Sequence, residues 1–158
     1  MLATSFRTTS LRRLLRGAAA VTVLALASAC DDDATGPDEE PEIESVRLTV
    51  TPPSGTATTY VLTANGSTPS PVQLRVGTST LTAVALGAGG QALDIGSEFE
   101  LRMGGLPASV TFTRNGSLTA TVSATAAVAT PVTAQAIMWH KVENHDDYTA
   151  SFPLTVAP

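Results

Sequence analysis

From residue 45 onward, hydrophobic and polar residues alternate along the chain, which is the pattern of β-strands with one buried face. Turn residues interrupt the alternation at spacings of roughly ten residues, as at Pro52–Gly55 and Gly87–Gly90. No stretch after residue 30 has the spacing of an amphipathic helix. The pattern predicts an all-β domain, with strands over 46–50, 58–63, 72–76, 81–86, 99–103, 110–112, 118–122, 132–140 and 151–157.

Asn115-Gly116 is the strongest turn signal of the chain. It separates two of the predicted strands, and Asn-Gly accepts the two positive φ angles of a type I′ hairpin turn. Short strands at this spacing are typical of a single immunoglobulin-like antiparallel β-sandwich of about 7–9 strands. The 114 residues from 45 to 158 are enough to bury a hydrophobic core without disulfides.

The first 29 residues have the three parts of a secretory signal peptide. Arginines between Arg7 and Arg16 precede an apolar run over Gly17–Ala27, which is too short to span a hydrocarbon core about 30 Å thick. Ala27-Ser28-Ala29 then supplies small residues directly before Cys30, the only cysteine of the chain. The segment 1–29 is therefore predicted to be cleaved during export.

These residues resemble the lipobox of bacterial lipoproteins, in which a small-residue triplet precedes a cysteine that is lipidated and becomes the mature N-terminus. The resemblance implies that Cys30 carries lipid and that the membrane is the first partner of the chain. The domain would then lie in the periplasm or on the surface of a bacterial cell envelope. The alternative is ordinary cleavage after Ala29, which would leave Cys30 as a free thiol on a soluble chain.

Charge is distributed unevenly, with 14 acidic and 9 basic side chains giving a net charge of −5. Eight of the acids lie in residues 31–44, so residues 30–44 are expected to form a disordered acidic linker behind the lipidated Cys30. The predicted sandwich, 45–158, holds five basic and six acidic residues, a balance that excludes binding to nucleic-acid phosphates. A single cysteine excludes a disulfide scaffold and the Cys-rich zinc motifs.

Two stretches of the predicted sandwich have the strand, glycine turn and short return strand of bacterial immunoglobulin-like modules. They are Leu81–Leu93, LTAVALGAGGQAL, and Ala108–Thr119, ASVTFTRNGSLT. From Leu81 to Ile137 the chain resembles these modules of envelope and adhesin proteins. The resemblance implies a spacer or binding unit without catalysis.

One polar segment stands apart, because residues 140–148 hold both histidines of the chain and three of the six acids of the domain. It lies between two predicted strands, so we expect a loop, where functional residues are common. The sharper hypothesis is a divalent-metal site for zinc, copper or nickel, with two imidazoles and carboxylates as ligands. Its candidate ligands are His140, Glu143, His145, Asp146 and Asp147.

Two other interpretations of this segment stay open. The first is a solvated hairpin loop, in which Asn144 and the aspartates form the turn. The second is a contact patch for a protein or glycan partner, formed by Trp139 and Tyr148 at the two ends of the segment.

The sequence has no glycine-rich phosphate loop, no G-x-S-x-G turn and no H-E-x-x-H pair, so we expect a protein that is not an enzyme. The leading hypothesis is a lipid-anchored envelope protein that presents an immunoglobulin-like module for binding, adhesion or scaffolding. The alternative is a metal-binding lipoprotein that uses the segment from His140 to Tyr148, with a divalent metal as its only cofactor.

Overall fold

The computed structural model describes residues 42–66 and 70–158, and these residues are organised as strands. The predicted signal peptide, Cys30 and the linker up to residue 41 lie outside the described residues. Among the described residues, no helix has the length and apolar character needed to cross a membrane. The strands are β1 Ser45–Thr51, β2 Thr58–Thr63, β3 Val72–Arg75, β4 Gly77–Leu86, β5 Phe99–Gly104, β6 Val110–Arg114, β7 Thr119–Ala124, β8 Val128–His140 and β9 His145–Ala157.

The strands form two packed sheets, which confirms the predicted all-β sandwich. One sheet has the order β2-β1-β4-β7-β6 and the other has the order β3-β9-β8-β5. Neighbouring strands are antiparallel except for β3, which runs parallel to β9. Alternate residues point between the sheets and form one core, whose largest fully buried side chains are Phe152, Leu48, Leu62, Leu81, Leu101, Met138 and Leu154.

The packed domain begins slightly before the predicted boundary at residue 45. Ile43 packs against the core, and the backbone N–H of Glu44 donates to the carbonyl of Leu86 at 2.9 Å. Residues 43 and 44 therefore make contacts with the packed domain.

The last two strands are longer than predicted. β8 begins at Val128 and passes through Pro131, because the register shifts between Val128 and Val132 and thereby accommodates a residue that has no N–H to donate. β9 begins at His145, six residues before the predicted start at Ser151. Its first residues are polar and do not alternate, so the sequence pattern pointed to a loop.

The hairpin predicted at Asn115-Gly116 is present between β6 and β7, but its predicted type I′ turn is wrong. The strands are joined by the four residues 115–118, and neither Asn115 nor Gly116 has a positive φ. The carbonyl of Ser117 accepts a hydrogen bond from Leu101 at 2.7 Å, and that of Leu118 accepts one from Ala83 at 2.8 Å. Contacts with both sheets therefore determine the loop conformation.

An ion cluster joins the edge strands β5 and β6 at one side of the sandwich. Glu100 is buried, and its Oε1 atom forms ion pairs with Nε of Arg102 at 2.7 Å and with Nη1 of Arg114 at 2.6 Å. Burial raises the pKa of Glu100, but the hydrogen bond from Arg102 and the charges of both arginines outweigh this effect, and the net pKa is lowered. The cluster is therefore a charged contact between the two sheets.

Candidate metal centre

The two histidines of the chain lie opposite each other at the end of the β8–β9 hairpin. His140 is the last residue of β8 and is the register partner of His145, the first residue of β9. The turn between them has only four residues, and the N–H of Asn144 donates to the carbonyl of His140 at 2.8 Å. Asn144 has a φ of 60°, a left-handed conformation that asparagine tolerates. Both imidazoles therefore project from the same face of the hairpin.

This geometry corrects the predicted loop. Only residues 141–144 form a turn, while His145, Asp146, Asp147 and Tyr148 belong to β9. The convergence of His140 and His145 is therefore produced by strand pairing. Paired strands hold side chains more firmly than a loop does, because backbone hydrogen bonds define their spacing.

A β-bulge next to the histidines brings Asp147 to them. Met138 pairs with Tyr148 and the next residue, Trp139, pairs with Asp146, so Asp147 is an extra residue on β9. The Oδ1 atom of Asp147 is 2.5 Å from Nε2 of His145, and its Oδ2 atom is 3.9 Å from Nδ1 of His140. Asp146 instead pairs with Trp139 and is exposed outside this cluster.

The ring of His140 is held in place by an aromatic neighbour. Phe99, the first residue of β5, is its register partner and stacks on it, with ring centroids 4.6 Å apart and planes 4° apart. The edge of the His145 ring approaches from another side, with centroids 5.9 Å apart. The stack fixes the orientation of the His140 imidazole, as a preformed ligand requires.

Two further carboxylates lie outside the cluster of two histidines and one aspartate. The Oε2 atom of Glu98 is 3.7 Å from Nε2 of His140, and that of Glu143 is 3.5 Å from Nδ1 of His145 and 3.8 Å from Nδ1 of His140. The carbonyl of Glu98 also accepts a hydrogen bond from Lys141 at 2.8 Å. Each histidine thus has one nitrogen on the side of Asp147 and the other at ion-pair distance from a more exposed carboxylate.

Glu98 was missed by the sequence reasoning. It lies 42 residues before His140, and no motif links the two positions. The only signal available is its place directly before Phe99, at the start of a strand. The sheet order places β5 beside β8, and the sequence does not reveal this pairing. Glu98 could therefore be found only from the structure.

The donor atoms of the cluster suit a transition-metal ion. His140, His145 and Asp147 each offer one ligand atom, and these three atoms all lie within 4.8 Å of one another. Ligands at about 2.0–2.2 Å from a tetrahedral zinc ion are roughly 3.3 Å apart, so the three atoms lie near the spacing that such an ion requires. Two imidazole nitrogens and a carboxylate oxygen favour zinc, copper or nickel over calcium or magnesium.

Trp139 and Tyr148 do not form the predicted contact patch. Trp139 lies half-buried on the outer face of its sheet, with the guanidinium carbon of Arg102 3.7 Å from the ring centroid. Tyr148 is 7% exposed on the inner face, and burial raises the pKa of its hydroxyl. This hydroxyl donates to the carbonyls of Glu44 and Leu62, each at 3.1 Å. Tyr148 is therefore a core residue, because the strand pairing directs it between the sheets.

No protein-family model, curated protein or solved structure matches the chain. The centre contains two imidazoles, one inner carboxylate on Asp147, and two outer carboxylates on Glu98 and Glu143. The two imidazoles and the carboxylate of Asp147 can hold a divalent cation, and the outer carboxylates lie beside the imidazoles.

Proposed function

We propose that this chain is a non-catalytic metal-binding protein of the bacterial cell envelope. Its β-sandwich binds a divalent transition-metal ion, such as zinc, through His140, His145 and Asp147. The observation that carries the proposal is the convergence of these three ligand atoms within 4.8 Å on two paired strands.

The contacts around the three ligands support a preformed centre. Phe99 stacks on the His140 ring, and the bulge directs Asp147 toward both histidines. Glu98 lies 3.7 Å from Nε2 of His140 and Glu143 lies 3.5 Å from Nδ1 of His145, so both place negative charge beside the imidazoles. Such outer partners fix the ring orientation and raise the basicity of the ligand, and both effects strengthen metal binding.

The N-terminal sequence supports placing this site in the envelope. A positive segment, an apolar run and Ala27-Ser28-Ala29 precede Cys30, as in bacterial lipoproteins. Lipid on Cys30 would hold the protein at a membrane, since several acyl chains anchor far more firmly than one. The acidic linker that follows would keep the metal-binding domain at a distance from the membrane surface.

A non-catalytic binding module for a protein or glycan is the second candidate function. The order β1-β4-β7-β6 in one sheet and β9-β8-β5 in the other corresponds to the strand order A-B-E-D and G-F-C of immunoglobulin-like sandwiches. This order supports the resemblance to bacterial immunoglobulin-like modules.

Calorimetric titration of the purified full-length chain with Zn²⁺ tests the metal proposal. Asp147→Asn should weaken zinc binding by more than about tenfold, because loss of a ligand exceeds the effect of losing an outer partner. Asp146→Asn is the matched control: the neighbouring residue undergoes the same change in charge and size, and its affinity should match the unmodified chain. A His140→Ala/His145→Ala double variant should not bind.

Circular dichroism of each variant establishes that the fold is retained. Equal zinc affinity in Asp146→Asn and Asp147→Asn, or binding that survives in the double histidine variant, would refute the assignment of the ligands. Absence of zinc, copper and nickel uptake by the unmodified chain would refute the metal function and leave the binding module as the proposal.

A further inference from the structure

We infer that the bound ion is held for exchange, and that it passes to a second molecule whose own donor groups replace His145 first. This inference rests on the proposed metal function and adds the kind of partner the site serves. That partner carries metal ligands of its own, such as imidazole, thiolate or carboxylate groups. The evidence is an unequal distribution of exposure around the centre.

The centre has a buried half and an exposed half. His140 is 4% exposed under the Phe99 ring, and the side chain of Asp147 is 14% exposed. The side chain of His145 is 48% exposed and that of Glu143 is 51% exposed. The ligands therefore differ in their freedom to leave the ion, and His145 at the first position of β9 is the one that solvent and partners reach.

The number of ligands supports the same conclusion. Three protein donors leave one position of a tetrahedral ion for water or another molecule, whereas structural zinc sites are closed by four protein ligands. Glu98, on the side of the centre nearest β5, has a side chain that is 64% exposed. Among residues 42–66 and 70–158, only His140, His145 and Asp147 form a group of three or more ligand atoms that all lie within 4.8 Å of one another.

The exchange proceeds without any change in oxidation state. A lone pair of the incoming donor forms a bond to the ion at the open position, and the bond from the ion to Nε2 of His145 breaks. His145 leaves as a neutral imidazole, and the ion keeps its double positive charge. Further donors of the same partner then replace Asp147 and His140, and the ion leaves with the partner.

Glu143 is the positioning residue for this step. Its carboxylate lies 3.5 Å from Nδ1 of His145 and so holds the exposed ring toward the ion. Loss of that contact should let His145 leave more easily. Glu98 stands in a comparable place beside the other histidine, 3.7 Å from Nε2 of His140, but that ring is also fixed by Phe99.

Stopped-flow release of zinc to the chromogenic chelator 4-(2-pyridylazo)resorcinol tests the inference. The full-length chain is loaded with one equivalent of Zn²⁺ and mixed with increasing chelator concentrations. Exchange through an open position predicts a release rate that rises in proportion to the chelator concentration. Glu143→Gln should raise the second-order rate constant by about tenfold, and Glu98→Gln, its matched control, should raise it less.

The outcomes separate this inference from the proposed function. A release rate that is the same at every chelator concentration would overturn the exchange while leaving metal binding intact. Equal acceleration in the two glutamine variants would overturn the role of His145 as the first ligand to leave. No zinc uptake in the prior titration would overturn the metal function itself.

Discussion

Tyr148→Phe removes a single hydroxyl that joins the start of β9 to the opposite sheet. This hydroxyl donates to the carbonyls of Glu44 and Leu62, which are 104 and 86 residues away in the sequence. The ring packs inside the core opposite Met138, and phenylalanine retains that packing. The substitution therefore isolates the contribution of two long-range contacts beside the β-bulge at Asp147.

The expected cost follows from the contacts that are lost. A net intramolecular hydrogen bond contributes about 0.5–1.5 kcal/mol, and leaving a buried carbonyl without a partner costs about 1–3 kcal/mol. One hydroxyl proton is shared by two carbonyls here, so we expect the free energy of unfolding to fall by about 1–2 kcal/mol. In a domain of this size, that corresponds to a fall in Tm of about 3–10 °C.

The same hydroxyl should make stability depend on pH in alkaline solution. Burial raises the pKa of Tyr148 above its ordinary value of 10.0, so the folded state favours the neutral form. Its stabilising contribution is fully present below pH 10.0 and is lost as the pH rises through the higher folded-state pKa. The unmodified chain should therefore lose stability more steeply than Tyr148→Phe above pH 10.0.

Urea unfolding followed by circular dichroism, in buffer containing a metal chelator, measures these effects. Tyr60→Phe is the control, because the Tyr60 hydroxyl is in an exposed contact and accepts its hydrogen bond from the N–H of Gln73 at 3.1 Å. The N–H of Gln73 can donate to water instead when the Tyr60 hydroxyl is removed. A Tyr148→Phe variant as stable as the unmodified chain, or a Tyr60→Phe variant destabilised as much, would refute the reasoning.

Two further predictions concern the scaffold. Gly105→Ala should destabilise the fold by more than about 2 kcal/mol, because the residue has a φ of 66° and an added Cβ would lie 2.5 Å from the carbonyl oxygen of Thr133. In thermal unfolding, Gly55→Ala should cost only about 1 kcal/mol, since it has a positive φ but open space around it; equal losses would contradict the steric argument. Glu100→Gln should lower stability at pH 7 by about 1–2 kcal/mol, a modest value because solvent screens its half-exposed arginine partners. The lowered pKa of Glu100 means that this contribution is present above its ordinary pKa and is lost as the pH falls through the folded-state value. Urea unfolding at pH 7 and near pH 3 should show the difference between the two chains shrinking in acid, and a constant difference would argue against the charged cluster.

Strand positions could be predicted where burial alternates regularly. Segments such as 46–50 and 58–63 lie within β1 and β2, because one face of each strand enters the core and the other faces water. The first residues of β8 and β9 were not predictable in this way. Pro131 and the polar residues 145–147 contradict the local pattern, and the pairing between the two strands overrides it.

Turn geometry was also decided by contacts that are distant in the sequence. Asn115-Gly116 has the local preference for a type I′ turn, and the hairpin that it predicts is present. The loop nevertheless adopts other angles, since the carbonyls of Ser117 and Leu118 are hydrogen-bonded to strands of both sheets. Local preference amounts to about 1 kcal/mol, which two such hydrogen bonds can exceed.

The all-β class and the residue types of the candidate site can be read from the amino-acid sequence. Both histidines and three acids lie within nine residues, and these residue types are potential metal ligands whatever the fold. The tertiary structure decided which of them meet. Strand register places His145 opposite His140, a bulge selects Asp147 over Asp146, and sheet order brings Glu98 from 42 residues away. The first two choices depend on the register within the β8–β9 hairpin, and the third depends on pairing between distant strands. A one-residue change of register would reverse the face of every side chain involved.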